Sequence, residues 1–299
     1  MKKNIAIIIR GQFREWNNAK HSILSCFGRM NIPEVCEVTF FFATWDKSYN
    51  VLFKEDGKPI YVDELEITEE HLERIRSDFE TAGLNLWKAK IFNYSDVKSS
   101  FCKDLKFYEE YELISFIRYA GSLLKQEYEN EHNIIFDTVI HIRPDVFYLP
   151  ALGKHRTEFL HLIPRNTIIS TTGIHTTYDG SLLFDHFLQV ENFSIDDIIF
   201  ASGSLASDIL CNEFLSLYDK SYISTNFLPH NKLCDYLLRT KQIMPDNGMH
   251  KYIANSGIIR PSRFFDKQVD FTNISEATLK RIKVADSNFH TEKDRYFKS

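Results

Sequence analysis

The sequence predicts an α/β protein in which helices cover both faces of a mostly parallel central sheet. Three strand-like runs lead to this prediction: the apolar runs at residues 5–9 and 38–43, and the strand predicted at residues 136–142. Runs rich in β-branched and aromatic residues are typical of strands buried on both faces. Segments with helical periodicity separate the runs, and strands that alternate with helices favour parallel pairing.

The first helix is predicted at residues 17–30, between the first two apolar runs. After the second run, residues 47–66 are predicted to be irregular. This stretch contains Gly57 and Pro59, two residues that interrupt regular structure.

Two more helices are predicted before the third run. One covers residues 69–82 and ends at Gly83, and a strand follows at residues 86–92. The other covers residues 104–131, where apolar residues recur at near-helical spacing with charges between them. Its apolar positions are Phe107, Tyr111, Ile114, Ile117, Leu124 and Tyr128.

The second half of the chain is less regular. Strands are predicted at residues 167–172 and 197–201, and a strand or extended segment at residues 252–260. Helices are predicted at residues 203–218, 231–240 and 275–283, and a loop with a short helix at residues 173–193. No repeat, low-complexity tract or linker interrupts the sequence, so we expect one continuous domain over residues 1–299.

Composition excludes several classes of protein. The formal net charge of -5 gives no overall attraction for nucleic acid or for an anionic membrane. The apolar run at residues 5–9 is too short for a signal peptide, and no stretch approaches 18 apolar residues. The cysteines contain no C-x-x-C pair and predict neither a disulfide framework nor a zinc site. We therefore expect a soluble, cytoplasmic protein with reduced thiols at Cys26, Cys36, Cys102, Cys211 and Cys234.

Polar residues follow the first apolar run. Arg10 and Arg14 flank Gly11 and Gln12, and a glycine at this point allows a ligand to approach the backbone closely. Guanidinium groups beside such a turn suit a diphosphate or a nucleotide base. A pair of surface arginines is the alternative explanation. At the end of the second run, the indole of Trp45 is suited to stack on a ring, or else it belongs to the core.

The strand predicted at residues 136–142 is followed by Arg143, Pro144 and Asp145. An acid in an Arg-x-Asp sequence can hold a divalent cation or a ribose hydroxyl while the arginine pairs with phosphate. The alternative is a turn in which Pro144 fixes φ and Asp145 caps the backbone. Because the carboxyl ends of parallel strands form the ligand-binding edge of such sheets, we expect these residues to lie near the first turn.

Asp196 and Asp197 precede a predicted strand, and the small residues Ser202, Gly203 and Ser204 follow it. A carboxylate here can accept the proton of an attacking hydroxyl, and a small-residue turn lets a sugar approach the backbone. A helix cap with solvated charges is the alternative.

Together these motifs carry a resemblance to a known family. In chain order they are Arg10-Gly11-Gln12, Thr44-Trp45-Asp46, His141-Ile142-Arg143-Pro144-Asp145 and the stretch from Asp196-Asp197 to Gly203-Ser204. Over roughly residues 5–260 this order resembles GT-A-like glycosyltransferases from microbial surface-glycan clusters and large viruses. The resemblance implies a GT-A-like fold with a nucleotide-sugar-binding half at residues 1–150 and an acceptor-binding half at residues 151–299.

The resemblance also implies roles for individual residues. The donor site would include Arg10, Gly11, Gln12, Arg14, Trp45, Arg118, Arg143 and Asp145, where Arg118 is placed by its position on the long helix. Asp145 would also bind the divalent cation, Mn²⁺ or Mg²⁺. Asp197 or Asp196 would be the catalytic residue that faces the acceptor.

The implied activity is transfer of a hexosyl or pentosyl group from a nucleotide diphosphate sugar, such as a UDP-sugar, to a hydroxyl group of a glycan in a phage or bacterial setting. One alternative is a viral enzyme that glycosylates hydroxymethylated bases in DNA, which would need a flipped base and a local basic groove. Another is a binding module for nucleotides or sugars that has lost turnover.

Overall fold

The structure is a computed structural model. It describes residues 2–14, 16–53, 59–101, 109–150, 157–165, 167–170, 198–218 and 253–258, together with Leu233, Tyr236, Leu237, Pro245, Asp246 and Met249.

The described chain contains both strands and helices. The strands are β1 (Lys3–Gly11), β2 (Cys36–Trp45), β3 (Lys47–Phe53), β4 (Pro59–Glu66), β5 (Asn85–Phe92), β6 (Thr138–Ile142), β7 (Val146–Pro150), β8 (Ile168–Ser170), β9 (Ile199–Ser202), β10 (Pro245–Asp246) and β11 (Ile253–Ile258). The helices are α1 (Trp16–Gly28), α2 (Glu69–Thr81), α3 (Tyr94–Phe101), α4 (Glu109–His132), a 3-10 helix (Thr157–Leu162), α5 (Ser204–Cys211) and α6 (Glu213–Tyr218).

The central sheet of the described chain has seven strands in the order β10-β8-β9-β6-β1-β2-β5. β1 lies between β6 and β2 and is parallel to both. β9 runs antiparallel to its neighbours β6 and β8. The predicted α/β fold class, with a mostly parallel sheet flanked by helices, is therefore confirmed.

Both faces of β1 are buried. Ile5, Ile7 and Ile9 pack in one cluster with residues of α1 and α2. Ala6 and Ile8 pack on the opposite face with residues of α4. Such a strand has no solvent face, which explains its unbroken apolar sequence.

Gly121 allows α4 to lie close to the sheet. A Cβ atom at this position would lie 2.6 Å from Cγ2 of Ile8, well inside van der Waals contact. The glycine costs helix propensity but permits the close packing of α4 on β1.

The prediction of irregular structure at residues 47–66 is wrong. β3 and β4 pair antiparallel there, with Val51 opposite Tyr61 and Phe53 opposite Pro59. Pro59 does not interrupt regular structure, because it is the first residue of β4, where the missing N–H group does not prevent strand formation.

Two further differences concern helices. The segment predicted as one helix at residues 203–218 is two helices, because α5 ends with Asn212 as its C-cap and α6 begins at Glu213. The helix α3 follows β5 and was not predicted. Its first turn is supported by Asn93, whose side-chain oxygen accepts the N–H of Asp96 at 2.7 Å.

Some predicted segments fall outside the described residues: residues 104–108 of the long helix, 171–172, 173–193, most of 231–240, and 275–283. No described helix combines the length and the apolar character needed to cross a membrane.

Candidate active site

An ion cluster joins the turns that follow β1 and β6. Arg14 donates from Nε to Oδ2 of Asp145 at 2.6 Å. Arg143 donates from Nε to Oδ1 of Asp145 at 2.8 Å and from its Nη2 group to Oδ2 at 2.8 Å. We call these three residues the Arg-Asp-Arg cluster. The sequence predicted that the two strand ends meet, and these hydrogen bonds join them.

The carboxylate of Asp145 is the buried centre of this cluster. Its side chain is 1% exposed, whereas those of Arg14 and Arg143 are 10% and 16% exposed. Burial alone would raise the pKa of Asp145, but the charges and hydrogen bonds of Arg143 and Arg14 hold that pKa well below its usual range. Asp145 is therefore ionised, and the cluster carries one more positive than negative charge.

Gly11 brings the end of β1 against the same turn. Its φ is +127°, a conformation that residues with a side chain rarely adopt. The nearest atom to a Cβ added there would be Cδ of Pro144, at 3.6 Å. Gln12 follows and is partly exposed. The turns of Gly11 and Pro144 are thus in contact beside the Arg-Asp-Arg cluster.

Tyr148 fixes the shape of the turn after β6, and the sequence did not single it out. Its hydroxyl group accepts the backbone N–H of Arg143 at 3.0 Å and donates to the carbonyl of Ile198 at 3.0 Å. Burial raises the pKa of this tyrosine well above its usual value, which keeps the hydroxyl proton in place. Its signal in the sequence is a tyrosine in an apolar strand, three residues after Asp145.

Arg10, the last residue but one of β1, lies over the ring of Phe200. Its guanidinium carbon is 5.4 Å from the ring centre of Phe200, and the side chain is buried. The Cβ atom of Arg10 lies close to α4, because a Cβ added at Gly121 on that helix would be 4.0 Å from it. Arg10 therefore projects under α4, on the face of the sheet that carries Phe200. Its role in donor binding stays a prediction.

Arg118 forms a buried ion pair. Its Nη2 group donates to Oε2 of Glu213 at 2.9 Å and to Oγ of Ser115 at 2.8 Å. The contact links α4 to α6, and both side chains of the ion pair are buried. A role for Arg118 in the donor site rests on its position on the long helix, while its described contacts are those of a helix-packing residue.

Trp45 lies in an aromatic cluster. Its ring stacks on Phe116 with centroids 5.6 Å apart and meets the edge of Tyr94 at 5.5 Å. Only 3% of the residue is exposed. These contacts are those of a core tryptophan, the second of the two interpretations that the sequence allowed, and stacking on the donor remains a prediction.

Asp196 and Asp197 lie outside the described residues. The small-residue turn after β9 is described, and its glycine is explained by packing. A Cβ added at Gly203 would lie 2.3 Å from the carbonyl oxygen of Arg165, so the backbone of Arg165 fills the space that the sequence suggested for a sugar.

A second polar cluster joins α4 to α5. Nζ of the fully buried Lys125 donates to Glu129 at 2.9 Å and to Asp208 at 3.0 Å, and it also contacts Oγ of Ser204. Oγ of Ser122 donates to Asp208 at 2.6 Å. The pairing of a buried ammonium with two carboxylates explains how this charge is tolerated in the interior.

A divalent cation at Asp145 does not fit these contacts well. Both oxygens of the carboxylate already accept guanidinium N–H groups, and an ion bound there would face the positive charges of Arg14 and Arg143. Within the described ranges, no group of three or more His, Cys, Asp or Glu side chains is arranged to hold a metal ion.

Solved structures of glycosyltransferases are similar to this chain at low identity. The galactosyltransferase LgtC, in complex with donor and acceptor sugar analogs, is 11% identical with a TM-score of 0.40, and 81% of this chain and 72% of that chain are covered. An active-site mutant of LgtC is 11% identical with a TM-score of 0.39 and the same coverage.

The apo-form of the glycosyltransferase GlyE from Streptococcus pneumoniae TIGR4 is 10% identical with a TM-score of 0.36. The match covers 82% of this chain but only 45% of GlyE, so the chain spans less than half the length of that protein. No protein-family model matches the chain, and no curated protein matches it.

Proposed function

We propose that this chain is a glycosyltransferase that moves a sugar from a nucleotide diphosphate sugar to a hydroxyl group of a glycan. The observation that supports this best is the Arg-Asp-Arg cluster, which joins the carboxyl ends of β1 and β6 beside Gly11. Ligands of α/β sheets bind at this edge. The order of motifs that resembles GT-A-like glycosyltransferases also supports the proposal.

The charge of the cluster suits a diphosphate. Two guanidinium groups and one carboxylate leave an excess positive charge, and both arginines retain some exposure. Guanidinium groups bind phosphate oxygens through paired N–H groups, and they do so more tightly where water is excluded. Gly11 and Gln12 would contact the nucleotide, since the backbone at a glycine can be approached closely.

The chemistry is a substitution at the anomeric carbon of the sugar. The bond from this carbon to the diphosphate oxygen breaks, and its electron pair leaves with the diphosphate. Arg14 and Arg143 would stabilise the charge that develops on this leaving group. The hydroxyl oxygen of the acceptor forms the new bond and gives its proton to a carboxylate, for which Asp197 or Asp196 is proposed.

A panel of nucleotide sugars tests the proposal. The purified chain is incubated with each UDP- and GDP-sugar, with oligosaccharide acceptors, with hydroxymethylated DNA or with no acceptor, and release of free nucleotide is measured. We expect one donor to give acceptor-dependent release. Binding of a donor without any release would support a binding module, and turnover on hydroxymethylated DNA alone would support the viral alternative.

The cluster itself is tested by Arg143→Gln, with Arg165→Gln as the matched control. Arg165 also pairs with an aspartate, Asp137, but its side chain is 77% exposed. We expect Arg143→Gln to lower kcat/KM by at least about 100-fold, the size of effect seen when one preorganised donor is removed. Arg165→Gln is expected to match the wild type. Equal activity of both variants would contradict the proposed site.

A further inference from the structure

The hydroxyl group of Tyr148 lies between the candidate donor site and the start of β9. It accepts the backbone N–H of Arg143 at 3.0 Å and donates to the carbonyl of Ile198 at 3.0 Å. The carbonyl of Arg143 is 3.5 Å away, so the single hydroxyl proton goes to the nearer carbonyl of Ile198. One oxygen atom thus joins the turn that carries Arg143 to the residue just before β9.

This bridge extends the pairing of β6 with β9. The last pair of their antiparallel register is Ile142 with Ile199, so one further step would place Arg143 opposite Ile198. The hydroxyl group joins these two residues where the ladder of backbone hydrogen bonds would otherwise continue. Because the strands are antiparallel, β9 begins at the edge of the sheet where β6 ends. The bridge therefore lies at the edge that carries the candidate site.

The helix α1 holds Tyr148 in place. The backbone N–H of Tyr148 donates to Oγ of Ser22 at 3.2 Å, and the ring meets the edge of Phe27 with centroids 5.3 Å apart. All three residues are fully buried. A side chain packed in this way is restricted in its rotamer, so its hydroxyl group has a fixed position before any ligand binds.

Two parts of the proposed reaction meet at this bridge. Arg143 is proposed to stabilise the leaving diphosphate, and its backbone N–H is held by Tyr148. Asp197, one of the two proposed proton acceptors, precedes Ile198 in the sequence. Consecutive Cα atoms are about 3.8 Å apart, so a contact that fixes Ile198 also limits where Asp197 can be.

We propose that Tyr148 is a positioning residue, whose hydroxyl group sets the spacing between Arg143 and the acid that receives the proton of the acceptor. This inference rests on the proposed function. The two groups act on opposite partners of one substitution, since Arg143 faces the leaving group and the acid faces the attacking hydroxyl. A misplacement of about 1 Å between such groups can lower the rate about 100-fold.

Tyr148→Phe tests the inference, because it removes one oxygen atom and keeps the ring. We expect kcat for transfer to fall about 10- to 100-fold. Calorimetric titration of UDP or GDP, whichever belongs to the active donor, should give a Kd within about threefold of the wild-type value. Donor binding is retained because Asp145 still holds the guanidinium group of Arg143. Both measurements are made with Mn²⁺ present.

The outcomes separate the inference from the proposed function. A wild-type kcat in Tyr148→Phe, or a Kd that rises by the same factor as kcat falls, would overturn the inference and leave the proposed function standing. No turnover of any donor by the wild-type protein would overturn the proposed function and the inference with it.

Amide hydrogen exchange gives a readout that does not depend on activity. In Tyr148→Phe the N–H of Arg143 loses its acceptor, so we expect its exchange to be at least about tenfold faster. The amide of Ile140, which pairs with Ala201 inside the sheet, should keep its rate. Equal acceleration at both amides would indicate a general loss of stability and would contradict a local role.

Tyr128→Phe is the matched control. Tyr128 lies on α4, and its ring packs against Phe41 and Phe136 in the cluster on the opposite face of the sheet. This variant loses the same atom from another packed tyrosine, and we expect it to retain the wild-type kcat and the wild-type exchange at Arg143. An equal fall of kcat in both variants would overturn the inference.

If Tyr148→Phe does not fold, Phe27→Leu makes the test. It keeps the hydroxyl group but removes the ring that contacts Tyr148. We expect faster exchange at Arg143 together with a kcat lowered by about threefold or more and an unchanged Kd for the nucleotide. Faster exchange with a wild-type kcat would overturn the inference, and so would unchanged exchange, since the bridge would then not depend on the packing of Tyr148.

Discussion

Arg14 and Asp145 are 131 residues apart in the sequence, and Nε of Arg14 donates to Oδ2 of Asp145 at 2.6 Å. The contact ties the segment after β1 to the turn after β6. β1 and β6 are neighbours in the sheet, so one ion pair fixes the two turns at the ends of adjacent parallel strands. The spacing of the guanidinium groups therefore depends on a long-range contact.

A double-mutant cycle measures this contact. We expect Arg14→Gln and Asp145→Asn each to lower the free energy of unfolding, and the double variant to lose less than the sum of the two losses. The coupling energy should be about 1–3 kcal/mol, since the carboxylate is buried and paired. Urea unfolding followed by tryptophan fluorescence gives the free energies, and additive losses would contradict a direct interaction.

Much of the central sheet is predictable because its strands have no solvent face. β1, β2 and β6 are continuously buried from Ile5 to Arg10, from Val38 to Trp45 and from Thr138 to Ile142, and most of the residues in these stretches are apolar. The hairpin of β3 and β4 lacks such runs, so the sequence pattern does not predict it. A local sequence pattern therefore indicates a strand that is buried on both faces more clearly than it indicates the strands of a two-stranded hairpin.

The candidate site was predictable in part. Polar residues at the ends of parallel strands pointed to Arg14, Arg143 and Asp145, which the structure brings together. That Asp145 would be bound by both arginines depends on side-chain geometry, which the sequence does not specify. Glu213, the partner of Arg118, lies 95 residues further along the sequence. A local sequence pattern does not predict a contact between residues so far apart in the chain.

The backbone conformation at position 11 requires a glycine. Its φ of +127° lies beyond the left-handed region near +60° that other residues tolerate. We expect Gly11→Ala to cost about 1–3 kcal/mol of unfolding free energy. A steric clash contributes little, because the nearest atom to the new Cβ is 3.6 Å away.

Gly83→Ala is the matched control for this prediction. Gly83 has a φ of +66° at the end of α2, and a Cβ there would meet no atom within 4 Å. Its substitution should cost about 1 kcal/mol, less than that of Gly11. Equal losses for the two variants would show that the conformation of Gly11 is not the source of the cost.

The buried pair of Arg118 and Glu213 gives a prediction on stability. Removing one partner leaves an uncompensated charge in the interior, so Glu213→Leu should cost about 3–5 kcal/mol. The double variant Arg118→Met with Glu213→Leu should lose much less, because both charges are gone. If the double variant also binds the nucleotide normally, Arg118 acts in packing. If the variant folds but loses nucleotide binding, Arg118 belongs to the donor site.

His141 gives a prediction on pH dependence. Its ring is fully buried, stacks on Phe200 with centroids 4.4 Å apart, and has Nε2 at 2.9 Å from Oγ of Ser207. Burial, with the charges of Arg10, Arg118 and Lys125, holds the pKa of His141 well below its ordinary value of 6.5. The folded protein therefore keeps this histidine neutral under conditions in which the unfolded chain binds a proton.

The direction of the effect follows from that difference. Above pH 6.5 neither state is protonated at His141, and its contribution to stability is complete. As the pH falls below 6.5, the unfolded state gains a proton and the free energy of unfolding drops by up to about 1.4 kcal/mol per pH unit.

His141→Gln removes this pH dependence. The gap in the free energy of unfolding between the variant and the wild type should therefore narrow as the solution becomes more acidic. Urea unfolding at about pH 7.5 and pH 5.5 measures the gap, and Gly11→Ala, which changes no titratable group, should keep a constant gap. A constant gap for His141→Gln would mean that His141 titrates in the folded protein as it does in the unfolded chain.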